Sequence, residues 1–190
     1  LAEEGIAVVP TELVEPGVMP AWERCFARWG DLVVKPAISA GSFGTIQVAA
    51  GDATAAARHR ESHAERAMLI QPLLRSVLTE GERNLVFIDG AFSHAVWKGA
   101  RWSGQNEASG GPVIPEPDEI ELGRQVLAAV GRRGPTPTYA RVDVARLNGE
   151  PVLMELELIE PSLFLDRVPE APGRLAEALL RRPRGRQRSA

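Results

Sequence analysis

Lysine is almost missing from this chain: of 22 basic residues in 190, only Lys35 and Lys98 are lysines. Cysteine is down to one, Cys25, which excludes an intrachain disulfide and with it a disulfide-built secreted scaffold. No apolar run approaches the ~20 residues of a membrane span. The opening LAEEGIAVVP also lacks a signal-peptide pattern, so a cytoplasmic protein without membrane contact is expected. Basic surplus is absent from the body of the chain. The net charge is −3, yet the last ten residues, RRPRGRQRSA, hold five arginines and no acid, and removing those five charges leaves −8 for the rest. An acidic body argues against a nucleic-acid partner, and the tail at 181–190 reads as a solvated, disordered extension.

What remains is enough for one sizeable domain or two lobes: 44% of residues are apolar and 25% charged, as in ordinary globular proteins. IAVV at 6–9 is a short strand closed by Pro10 and Thr11. AWERCFARW within 20–30 has helical periodicity ended by Gly30, and its Cys25 reads as a core thiol rather than a nucleophile. DLVVKP predicts a buried strand stopped by Pro36, SAGSFG a flexible loop, and TIQVAA the next strand. The alanine-rich 53–68 predicts a helix, and MLIQPLL a strand broken at Pro72, a natural joint between lobes at 71–74. Asp89-Gly90 and Asn148-Gly149 each lie between alternating apolar segments, which predicts two hairpins. Between them, 99–117 reads as a glycine-rich functional loop, and 118–134 as a helix with acids at its start and arginines at its end. A last helix is expected at about 171–182. The order β-α-β-β-α-β, hairpin, helix, hairpin, helix predicts an α+β fold of two lobes with mainly antiparallel sheets.

Chemistry concentrates on the second hairpin. Alternation puts Arg141 and Asp143 on one face of YARVDVA, and Glu155 and Glu157 on one face of LMELELIE, side by side. Three carboxylates that close need a cation. Magnesium fits best, with hard oxygen ligands and phosphates completing its shell, whereas zinc would want Cys or His. The competing reading is an exposed face with Arg141 as counter-ion. Magnesium held this way implies phosphate, and Lys35, at a strand end beside the Gly41–Gly44 loop, is a compact cation with backbone amides near it. The loop is not GxxxxGK[ST], so a P-loop fold is not indicated. His94 reads as structural, His59 and His63 as a solvated helix face, and Trp97 and Trp102 as packing residues assigned to no substrate.

VVKPAISAGSFGT, QPLL, GERNLVFIDGAFSHAVWK, the Gly110-Gly111 pair and RVDV...LMELELIEPSLF, in this order, resemble the ATP-grasp superfamily from about Val8 to Leu165. They are most similar to its branch containing the cyclo-ligase of cycloserine biosynthesis. The resemblance implies two lobes clamping a nucleotide, the smaller at 1–72 and the larger at 73–180, preceded by an N-terminal domain; a chain opening on Leu1 rather than Met, where that domain should already have ended, is expected to be either truncated or dependent on another polypeptide. It also implies an ATP- and magnesium-dependent carboxylate–amine ligase, with manganese as a substitute metal, working through an acyl-phosphate on a small amino-acid-like acid and an amine-type nucleophile.

Residue by residue, the resemblance has Lys35 meet the α-phosphate and the adenine edge. Ser39, Gly41, Ser42, Gly44 and Thr45 close over the β- and γ-phosphates, and Gln71 and Leu73 offer backbone groups to adenine. Glu82 takes the ribose hydroxyls or is a solvated turn residue; Lys98 reaches the transferring phosphate, and Arg141 steadies it. Asp143, Glu155 and Glu157 bind magnesium, although the family often has asparagine where Glu157 stands. In the loop, Gln105 and Asn106 resemble the branch's closing segment, without the arginine that relatives place before the glutamine. A homo-oligomer is compatible with the family. The alternatives are a catalytically incomplete nucleotide-binding or regulatory module and a non-nucleotide interaction domain.

Overall fold

A computed structural model describes residues 1–100, 102 and 109–181; Gln105, Asn106 and the tail beyond Arg181 lie outside them. Two antiparallel sheets organise the chain. In the smaller, the strands β1 (Glu12–Val14), β2 (Leu32–Pro36), β3 (Ile46–Val48) and β4 (Met68–Pro72) lie in the order β1-β4-β2-β3. Helices α1 (Trp22–Trp29) and α2 (Ala53–Ser62) cover one face. There Trp22, Cys25 and Ala56 pack on Val14, Leu32, Val34, Val48, Met68 and Ile70. Each fully buried Leu or Val in such a core contributes about 1.5–3 kcal/mol. Alternation along β2 does the positioning: Leu32 and Val34 point into this core, so Val33 and Lys35 point to the other face.

The larger sheet follows a short helix, α3 (Arg75–Thr79). Its strands β5 (Glu82–Ile88), β6 (Ala91–Lys98), β7 (Ser109–Val113), β8 (Tyr139–Leu147) and β9 (Glu150–Glu157) take the order β7-β6-β5-β8-β9. Helix α4 (Pro117–Gly131), fixed at its start by a capping box between Glu116 and Glu119, lays Leu122 and Val126 on Leu85, Phe87, Val142 and Val144. The opposite face of this sheet is shared. At one end Val86 and Ile88 are covered by α5 (Ala171–Arg181), through Ala178 and Leu175, and the other end is left to a cleft.

Several expectations need correction. Residues 6–9 form no strand but a single bridge, Val8 to Leu153, and the first strand is Glu12–Val14, past Pro10. The 99–117 segment is not all loop, since Ser109–Val113 adds an edge strand to β6. Helix α2 stops at Ser62 because Arg60, 2% exposed, turns back and donates to the carbonyls of Val18, Glu15 and His63 at 2.9 Å each. The arginines expected in the last turn of α4 lie just beyond it, where Arg132 and Arg133 grip Glu4.

The chain passes between the sheets twice. Ile6 and Val9 pack with the larger sheet, Val9 donates to the Leu153 carbonyl at 3.0 Å, and the chain then crosses at Pro10–Thr11 to begin β1. It returns after Pro72: the Leu73 amide still donates to Asp31 at 2.9 Å, whereas Leu74 is already packed with Val77 and Ala145. Gln71 ties the crossings together, its Nε2 donating to Thr11 Oγ1 at 2.9 Å.

Candidate functional site

The cleft between the sheets has a volume of about 950 Å³. Lys35, Ser39, Gly41, Ser42, Thr45, Gln71 and Leu73 line it from the smaller sheet; Glu82, Lys98, Arg141, Glu155 and Glu157 line it from the larger. Of the site residues expected from sequence, only Gly44 and Asp143 do not reach its surface. Asp143 lies beneath it, fully buried, and Gly44 is part of the roof loop.

That roof, 37–45, is held by its own turns. Gly41, Ser42 and Gly44 have φ of 61°, 59° and 67°, and the Thr45 amide donates to Ser42 at 3.0 Å. Glycine is required at 44 by crowding as well as by φ, because a Cβ there would meet Pro36 Cγ at 2.8 Å and His63 Nε2 at 2.9 Å. The histidines expected on a solvated helix face therefore floor the loop. His59 Nε2–H donates to the Gly44 carbonyl at 2.8 Å, and the two imidazoles lie 4.5 Å apart. Burial, helped by the neighbouring His63, holds His59 below its ordinary value and keeps it neutral at pH 7.

On the opposite wall, strand register assembles the charges. Arg141 lies across from Glu157, Asp143 across from Glu155, and Glu82 across from Lys98. A bulge at Met154 makes this possible: Val144 pairs Leu153 while Asp143 pairs Glu155, so Leu153 enters the core and Glu155 the cleft. Arg141, 6% exposed, donates from Nε to Asp143 Oδ1 at 2.7 Å and from Nη2 to Asp143 Oδ2 at 2.9 Å, and it also bonds Glu157. Ligand oxygens of Asp143, Glu155 and Glu157 fall within 4.8 Å of one another, an all-oxygen set suited to a hard divalent cation.

The cleft holds more acid than its own cations balance. Glu82 and Lys98 are 3.5 Å apart, each side chain 16% exposed, which removes the solvated-turn reading of Glu82. Both members shift upward. Burial raises the Glu82 carboxyl further than Lys98 lowers it; for Lys98, burial pulls downward, but Glu82, Asp143 and Glu155 together prevail. Burial likewise raises Glu157 against the pull of Arg141. These directions agree on a wall short of positive charge. Lys35 has no ion-pair partner among the described residues and faces this wall from the other sheet.

Comparison with known proteins decides the family. The chain is 31% identical to the cycloserine biosynthesis protein DcsG of Streptomyces lavendulae, over 96% of this chain and 67% of that protein. The crystal structure of D-cycloserine synthetase DcsG superposes with a TM-score of 0.85 at 30% identity, covering 94% of this chain and 66% of that one. The ATP-grasp ligase PsnB, solved with a phosphomimetic variant of its minimal precursor, Mg and ADP, matches with a TM-score of 0.68 at 22% identity, over 94% and 55%. The chain belongs to the ATP-grasp family. A D-alanine–D-alanine ligase of Bacillus anthracis complexed with ATP shares the ATP-grasp fold, with a TM-score of 0.64 at 18% identity over 94% and 60%. No family model matches. This ATP-grasp chain spans about two thirds of the length of DcsG.

Sequence reasoning missed part of the wall. Trp102, Glu160 and Ser162 line the cleft, and Ser162 and Phe164 steady Arg141 from a segment in which Glu160 and Phe164 adopt positive φ. No periodic signal marks such a turn. The Leu73 amide is engaged by Asp31, so its carbonyl is the backbone group left for a ligand, and the Gln71 side chain is engaged by Thr11. His94 is structural as expected, donating from Nε2 to the Leu163 carbonyl at 2.9 Å. Among the described residues, no helix is long and apolar enough to cross a membrane.

Proposed function

We propose that this chain is the nucleotide-binding and phosphoryl-handling portion of an ATP- and magnesium-dependent carboxylate–amine ligase. A carboxylate oxygen of a small, amino-acid-like acid attacks the γ-phosphorus of ATP, the bond to ADP breaks, and an acyl-phosphate forms. An amine-type nucleophile then attacks the acyl carbon, phosphate leaves with the bonding pair, and the amine loses a proton. Such a reaction asks the protein for positioning and charge neutralisation rather than a covalent nucleophile.

The observation that carries this reading is the placement of Lys35 and the glycine loop on one wall and of Lys98, Arg141 and three carboxylates on the other. In it, residues 73–180 form the larger lobe, and the smaller lobe expected at 1–72 comprises 10–72, since Ile6 and Val9 pack with the larger sheet. Lys35 holds the α-phosphate, the Ser39–Thr45 loop covers the terminal phosphates, and Gln71 and Leu73 present backbone to the base. Glu82 takes the ribose, and Lys98 and Arg141 meet the phosphoryl group in transit. Asp143, Glu155 and Glu157 hold magnesium, which when bound neutralises the phosphate oxygens. Arg141, which bonds both carboxylate oxygens of Asp143, would share them with a cation held by these acids, and its guanidinium would then be available to phosphate.

Calorimetric titration with ATP and magnesium tests the binding half. Wild type should bind, Lys35→Ala should lose about tenfold or more, the worth of one hydrogen bond to a charged group, and Asp143→Ala should lose its magnesium dependence. Absence of binding by the wild type would end the proposal. Release of ADP that depends on an added amino-acid-like acid separates a ligase from a binding module without turnover.

A further inference from the structure

Asn84 plays no part in the assignments above. It stands in the middle of β5, fully buried, and neither its Oδ1 nor its Nδ2 has a hydrogen-bond partner among the described residues. Such groups are scarce in folded proteins, because a buried amide left unpaired gives up its hydration for nothing. Register supplies its surroundings. Asn84 lies directly across from Asp143 on β8 and from Val96 on β6; two residues earlier Glu82 faces Lys98, and two residues later Val86 faces Arg141. The side chain therefore belongs to the cleft face, at the centre of the charged groups, with its Cβ about 5 Å from that of Asp143. An amide suits the place better than an acid, which would add to the excess of carboxylates around it.

We propose that Asn84 is a positioning residue of the divalent-cation site. Its Nδ2 donates to the Asp143 carboxylate when a cation draws that carboxylate away from Arg141, and its Oδ1 accepts from a water carried by the cation. The carboxamide, without a partner among the described residues, thus gains two in the loaded protein. The inference rests on the assignment of Asp143, Glu155 and Glu157 to magnesium. An asparagine of purely structural role would find its partners within the fold, as Gln71 does with Thr11.

Asn84→Leu, close in volume and without polar atoms, tests this by thermal melting with ATP over a magnesium titration. Without ligand the variant should melt at or above the wild-type temperature. With ATP present, the magnesium needed for half of the maximal stabilisation should rise about tenfold, as when a group that orients a metal ligand is removed. Asn84→Ser, smaller and still polar, should fall between the two and serves the same titration if the leucine variant does not fold. A variant that needs as much magnesium as wild type overturns the inference and leaves the proposed function standing. A wild-type protein whose melting ignores ATP with magnesium overturns the proposed function, and the role of Asn84 with it.

Discussion

Glu82 shows how a single buried acid reports on the state of this cleft. Its carboxyl is raised above 4.5, first by burial, with Lys98 only partly offsetting it. A raised carboxyl binds its proton more tightly in the folded chain, so the stability it contributes is complete below 4.5 and is lost as pH climbs through the raised value. Urea unfolding of the ligand-free protein should therefore show Glu82 disfavouring the fold at pH 7.5 relative to pH 5, and Glu82→Gln should shrink that difference. An unchanged difference would mean that the carboxyl is solvated. Arg141 follows the opposite logic: its two bonds to Asp143 hold a buried charge in place, and losing that partner costs about 3–5 kcal/mol. Asp143→Ala should accordingly lower the melting temperature as well as abolish the metal response.

At the scale of elements, the pairing of the glycine loop with α2 is the feature that sequence reading inverted. RHRESHAER looks like a solvated face, yet it sets His59 against the Gly44 carbonyl and buries Arg60. His59→Ala should weaken ATP about fivefold, the worth of one neutral hydrogen bond, and leave AMP binding nearly unchanged, because only the terminal phosphates lie under the loop in the proposed pose. His59→Gln, which keeps a donor, should recover most of the loss in the same competition assay. Equal losses for ATP and AMP would instead mark a general effect on folding.

The elements that could be read in advance were those whose periodicity is uninterrupted: α1, β2 and the two Asx-Gly hairpins, and with them the shared faces of Arg141 with Asp143 and of Glu155 with Glu157. Those that could not were short or broke the rules of strand composition. ELV at 12–14 is cut off by Pro10 and Pro16, RSVLT is too brief to show a period, and SGGPV is a strand only because an edge tolerates glycine and proline. The bulge at Met154 left one trace, the unbroken apolar run Val152-Leu153-Met154 ahead of the alternating Glu155-Leu156-Glu157. Asn84 left another, a polar residue inside LVFI's strand, without any hint of its lack of partners.

For the molecule as a whole, the two sheets carry separate cores, one under α1 and α2 and one under α4, with the cleft between them. A ligand that touches both walls couples their stabilities. Amide hydrogen exchange should find the smaller lobe opening more readily than the larger one in the free protein, and ATP with magnesium should narrow the gap. Protection gained by the larger lobe alone would contradict a nucleotide bridging both.

The double passage of the chain at Pro10–Thr11 and Pro72–Leu74 sets how such bridging can occur. A lone strap would join the halves at one point; here two straps run side by side and are fastened together by Gln71 and Thr11. The ammonium of Lys35 is therefore set on the wall facing the acids by the frame itself.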